Sequence, residues 1–148
     1  MKIKKWTQFV AALAVTAMLC FPFAANAGRN CNETTPDAAK TQKAIQFAKQ
    51  VRDTLEVSGA NVAAIGRIGS DQSKRGVRYT HVGYLLRDHT AGAWTVIHEL
   101  NACGSGNSDL YDDGLANFYM DDLFEFETRI VIPSPSMQDM LGKALTGP

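Results

Sequence analysis

Two strand-like segments stand six residues apart, and that pair fixes most of what this chain can become. Val77 to Arg87 is rich in aromatic and branched residues, the composition of a central strand. Trp94 to Leu100 alternates cleanly, with Trp94, Val96, His98 and Leu100 on one face. A six-residue loop, Asp88 to Ala93, predicts a hairpin in which Arg87 faces Trp94 and Gly83 faces His98. His81 then lies diagonally beside His98 on the same face. A slip of one residue would send the two histidines to opposite faces. Gly83 has no side chain over that face, which leaves room for a substrate backbone or another helix.

The remaining segments read as partners for this hairpin. Thr35-Pro36-Asp37 predicts a helix start, and Ser58-Gly59 its end. Between them Ala44, Phe47, Ala48, Val51 and Leu55 recur every three or four residues as one buried stripe. Asn61 to Ile68 reads as a short strand, and 69–76 as a polar loop. After the Gly-rich loop around Cys103, Ser108 is expected to cap a short helix through Leu110, Tyr111, Leu115 and Phe118. Phe124, Phe126, Thr128, Ile130 and Ile132 alternate with Glu125, Glu127 and Arg129, as in a half-buried strand. Ser134-Pro135 opens a last amphipathic helix. The expected class is α+β, with an N-terminal helix packed on an antiparallel sheet of about four strands.

The first 27 residues stand apart from this domain. Lys2, Lys4 and Lys5 precede an apolar run from Phe9 to Ala25, and Ala25-Asn26-Ala27 is a small-x-small cleavage site. This is the layout of a signal peptide cut after Ala27, so periplasmic or secreted localisation is expected. The membrane then matters only during export. Residues 28–148 form one expected domain. The whole chain carries 15 basic and 15 acidic residues, and three of the lysines lie in the leader. The mature chain is thus mildly acidic, which disfavours a nucleic-acid partner. Cys20 leaves with the leader, so Cys31 and Cys103 remain. An even pair in an oxidising compartment predicts a Cys31–Cys103 disulfide. The competing reading makes Cys103 a thiolate activated by His98, and the two exclude each other.

Three classes of chemistry bear on these residues. The histidine pair is either an acid/base with its orienter or two core histidines satisfied by the backbone or Tyr79. His81, His89, His98 and Asp88 lack a tight ligand spacing, and Asp112-Asp113 and Asp121-Asp122 lack a calcium-loop pattern, so no metal is expected. The aspartate pairs read as solvated faces, and His89 as a solvated turn residue. Gly104-Ser105-Gly106 has no following lysine, so no phosphate loop and no cofactor is expected.

Three segments carry a resemblance. They are Arg78-Tyr79-Thr80-His81-Val82-Gly83, Trp94 through Gly104, and Leu110-Tyr111-Asp112-Asp113-Gly114-Leu115. With Gly28-Arg29-Asn30-Cys31 at the mature start, the chain resembles the bacterial family named domain of unknown function 2145. The resemblance covers nearly all of the mature chain and brings no established activity. More distantly, Thr80-His81-Val82-Gly83 with a second histidine on the next strand is similar to permuted NlpC-like and lecithin-retinol-acyltransferase-like papain folds. That likeness implies His81 as general base and His98 as its orienter, in thiol hydrolysis or acyl transfer on cell-wall peptides or lipids. It also implies a nucleophilic cysteine on a later helix. No Asn-Cys segment follows Phe118, so the resemblance implies the N-terminal part of a longer domain, C-terminally truncated and lacking its nucleophile segment. The alternative function is a non-enzymatic periplasmic binding module, with Tyr79, Gly83 and Trp94 around the histidine face as its ligand surface.

Overall fold

The computed structural model describes residues 37–120 and 123–147. Helix α1 (Ala38–Ser58) starts at Asp37, whose carboxylate accepts from the Ala39 N–H at 3.3 Å. Asp37 is therefore the cap, and Thr35 and Pro36 lie outside the described residues. The helix stops at Gly59, which takes φ 69°, a left-handed turn that glycine makes without a Cβ clash. Ala44, Ala48, Val51 and Leu55 form its buried stripe.

Five strands follow: β1 (Val62–Ile68), β2 (His81–His89), β3 (Gly92–Asn101), β4 (Ser108–Asp113) and β5 (Glu125–Val131). They form one antiparallel sheet in the order β4-β3-β2-β1-β5. A short helix α2 (Leu115–Met120) joins β4 to β5, and α3 (Pro135–Thr146) follows β5. The class is α+β, as expected, with the N-terminal helix on the sheet.

The sheet separates two apolar layers. On one face, α1 and α2 enclose Ala63, Ile65, Leu85, Trp94, Val96, Leu115, Phe118 and Tyr119. On the other, Leu141 and Leu145 of α3 cover Val62, Leu86 and Ile97. Gln138 of α3 accepts from the Asn61 and Val62 N–H groups through Oε1, at 2.9 and 3.2 Å, and so pins the helix to β1. Val82, Tyr84, Leu110 and Val131 stay exposed, as do Met137 and Met140 of α3.

Three expectations are corrected. The loop between β2 and β3 is two residues, because Asp88 pairs with Ala93 and His89 with Gly92. The register is nevertheless the expected one, since Leu85 faces Val96 and Leu86 faces Thr95. Ser108 does not cap a helix. The loop closes on itself through Ala102 N–H to Asn107 C=O at 2.8 Å, and Ser108–Asp113 returns as β4 against β3. Leu110 and Tyr111 match Leu115 and Phe118 in helical spacing, but Gly114 separates strand from helix. The sheet therefore has five strands rather than about four.

Candidate functional site

His81 opens β2 and pairs across the ladder with Arg67 of β1. His98 lies in β3 opposite Tyr111 of β4. The shared register brings both rings onto the α1 face, where His81 Nε2 lies 2.7 Å from His98 Nδ1. The rings meet edge to face at 5.0 Å between centroids. Gly83 makes this approach possible. A Cβ there would lie 2.8 Å from Val96 Cγ1 and 3.1 Å from His98 Cβ. The space over Gly83 is thus filled by Val96 and His98, not left open for a substrate backbone or a helix.

The second nitrogen of His98 reaches β4. Its Nε2 is 2.9 Å from Asp113 Oδ2. Asp113 sits opposite Val96 and so shares the face of His98. His98 is 3% exposed, whereas His81 is half-buried. Phe118 of α2 closes the site, with its ring 5.7 Å from that of His81 and 5.3 Å from that of His98. The buried Arg67 guanidinium lies 5.0 Å from the centre of the same Phe118 ring. The half-buried His81 ring is thus held against a fully buried one, which fixes its orientation.

The other singled-out residues fall elsewhere. Trp94 is 0% exposed. Its backbone takes φ 57°, a region that costs a non-glycine residue on the order of 1–2 kcal/mol. The indole N–H donates to Glu56 Oε1 at 2.7 Å and Arg87 lies over the ring, so packing holds the strained backbone. Tyr79 donates its hydroxyl to Glu127 Oε1 at 2.8 Å. The Glu127 hydrogen bond raises the Tyr79 phenol. Arg78, then Tyr79, hold the Glu127 carboxyl down at about 2. This cluster ties the approach to β2 onto β5.

His89 is not the solvated turn residue expected. Its Nδ1 accepts from the Ala91 N–H at 3.2 Å, and its side chain is 12% exposed. Cys103 lies in the exposed turn after β3, and Cys31 lies outside the described residues. No cluster of three metal-ligating side chains occurs among the described residues. Nor is any helix among them long and apolar enough to cross a membrane.

Asp113 is the site residue that the sequence pattern does not reveal, because Asp112-Asp113 has the look of a solvated face. The signal was the Gly-rich turn ending β3. Read as a hairpin, it would have placed Tyr111 and Asp113 on the His98 face.

A protein-family model described as "Uncharacterized protein conserved in bacteria (DUF2145)" matches residues 54–148. The chain belongs to the DUF2145 family. The match contains both histidines, Asp113 and Phe118, so the whole site lies within the DUF2145 region. Neither the curated proteins nor the solved structures gave a match.

Proposed function

We propose that this DUF2145 protein carries a general acid–base centre for hydrolysis or acyl transfer at an amide or ester bond. His81 is the base, and His98 holds its ring. The 2.7 Å contact between the two imidazoles carries the reading. Burial of His98 supports it, because an orienting partner must itself be fixed. In the permuted papain-like reading, the attacking group is a cysteine thiol on a separate helix, and this chain supplies the base and its orienter. The reading also places the protein in the periplasm after cleavage behind Ala27, with Cys31 bonded to Cys103. The substrates it favours are cell-wall peptides or lipids. A non-enzymatic binding module on the same face draws less support, since Trp94 is buried and the Tyr79 hydroxyl is committed to Glu127.

The test is turnover by the full protein, purified from the bacterial envelope. Acyl p-nitrophenyl esters of increasing chain length and muramyl peptides are offered to wild type and to His81→Gln. The expected result is hydrolysis that falls roughly 10²–10⁴-fold in the variant, the usual share of a positioned base. Absence of turnover on every substrate, or equal rates in the two proteins, would overturn the reading.

A further inference from the structure

Among the described residues the sheet ends at β4 on one side and at β5 on the other. An edge strand presents a row of backbone N–H and C=O groups that another strand can pair with. The two edges differ in how they would meet a second copy of themselves. β4 resists its own copy. Antiparallel self-pairing centred on Tyr111 sets Asp109 opposite Asp113, and a slip of one residue sets Asp109 opposite Asp112. Like charges directly opposite one another are destabilising.

β5 fits its own copy. Antiparallel self-pairing centred on Thr128 sets Glu127 opposite Arg129, Phe126 opposite Ile130 and Glu125 opposite Val131. Just outside the ladder, Phe124 then meets Ile132, and both are large exposed apolar residues. The charges also match. Glu125 and Glu127 share the single guanidinium of Arg78, which leaves one negative charge over. Arg129 is exposed and engages no carboxylate among the described residues, so the second copy's Arg129 supplies the missing positive charge.

The backbone points the right way for this register. The Arg67 carbonyl accepts from the Thr80 N–H on the β2 side, and the Ile68 carbonyl accepts from the Phe124 N–H on the β5 side. Alternate residues of β1 therefore face β5, among them Ala64 and Gly66, whose partners are Val131 and Arg129. The residues between, Thr128 and Ile130, turn their N–H and C=O groups away from β1. The register irregularity at Arg67/Ile68 leaves this alternation intact from Thr128 to Val131. Two copies of Thr128 can thus exchange both hydrogen bonds across a two-fold axis. The Thr128 side chain takes no part, since its hydroxyl donates to the Gly66 carbonyl at 2.8 Å.

We propose that β5 is a self-association edge, on which two copies of this chain join their five-stranded sheets antiparallel about Thr128. Sedimentation velocity of the full protein over a concentration series tests it. Wild type should pass from monomer to dimer as concentration rises, and the Thr128 and Ile130 amides should exchange hydrogen more slowly as it does. Arg129→Glu sets carboxylates opposite one another at both symmetry-related pairs, so the dissociation constant should rise roughly tenfold or more. Glu127→Arg alone should weaken the dimer by a similar factor. An equimolar mixture of the two variants should associate again, because at both pairs a carboxylate of one now faces a guanidinium of the other. Circular dichroism melts report whether each variant folds. A wild type that stays monomeric would overturn the proposal, and protection of those amides in that monomer would assign the edge to another part of the same chain. A dimer that left both amides unprotected, or that neither variant weakened, would also overturn it. So would a mixture of folded variants no more associated than its components. The dimer stands or falls independently of the acid–base reading.

Discussion

Gly83→Ala should damage the fold and the histidine pair together. The added methyl would lie 2.8 Å from Val96 Cγ1, 3.0 Å from the Ile97 carbonyl oxygen and 3.1 Å from His98 Cβ. Carbon atoms prefer about 3.5–4.0 Å, so Val96 would have to retreat by roughly 0.7 Å or more. It has little room, being wholly buried against the α1 layer. Ile97 offers backbone, which pairing with Tyr84 and Asp112 holds in place. Overpacking of this kind costs about 1–3 kcal/mol. The stiffer unfolded chain returns about 0.4–1 kcal/mol. The net loss should be about 1–2 kcal/mol, or roughly 4–8 °C in Tm for a domain of this size. Differential scanning calorimetry measures the loss, and the ring resonances of His81 and His98 report the pair. Gly114→Ala is the control. A Cβ there meets nothing within 4 Å, so its effect should stay within about 0.5 kcal/mol. If Gly83→Ala melted with the wild type and left both histidine ring resonances unmoved, the close approach of β3 across Gly83 would be wrong.

Other consequences can be checked separately. Glu127 is held at about 2 in the folded chain, below its ordinary value of 4.5, chiefly by Arg78. A depressed carboxyl stabilises the fold above the unfolded value and loses that contribution as pH falls towards 2. Wild type should therefore melt above Glu127→Gln at pH 6, with the gap closing between about pH 4.5 and 2. The cluster is exposed, so the gap should be modest. Burial raises the Tyr119 phenol to about 12. Ultraviolet titration of the four tyrosines should show a late step that disappears in Tyr119→Phe, which also loses about 0.5–1.5 kcal/mol with the 2.8 Å bond to Thr128. Intact-mass analysis of the mature protein should find no alkylatable thiol until a reductant is added. Two thiols labelled without reductant would remove the Cys31–Cys103 bond.

The sheet was legible wherever side chains alternate between environments. β2 and β3 have one face under α1, so Leu85, Val96 and His98 could take only one register. The α1 stripe was legible for the same reason. β4 carries no such pattern, because five of its six residues are exposed and the sixth only half-buried. What makes Ser108–Asp113 a strand is its backbone pairing with β3. Apolar periodicity does not record backbone pairing at a sheet edge. The hairpin loop was overestimated for a related reason. Thr90 and Ala91 make the turn, while Asp88, His89, Gly92 and Ala93 are polar or small residues inside a ladder that continues past the core.

The same gap hid the third member of the site. His81 and His98 sit on strands that are readable from burial, so their meeting followed from counting residues. Asp113 belongs to the edge strand, whose face could not be assigned until its pairing was known. Once Val96 is opposite Asp113 and His98 opposite Tyr111, the carboxylate lies one diagonal step from His98. An exposed-looking Asp-Asp pair then divides into two roles. Asp112 faces the other side, opposite Ile97, while Asp113 turns towards the buried imidazole. The edge strand thus contributes little to the core and one side-chain contact to the site. Exchanging Asp112 and Asp113 for asparagine in turn therefore separates an acid on the outer face from the one in contact with His98. The two neighbours differ by one residue in sequence and by a full face of the sheet in what they touch.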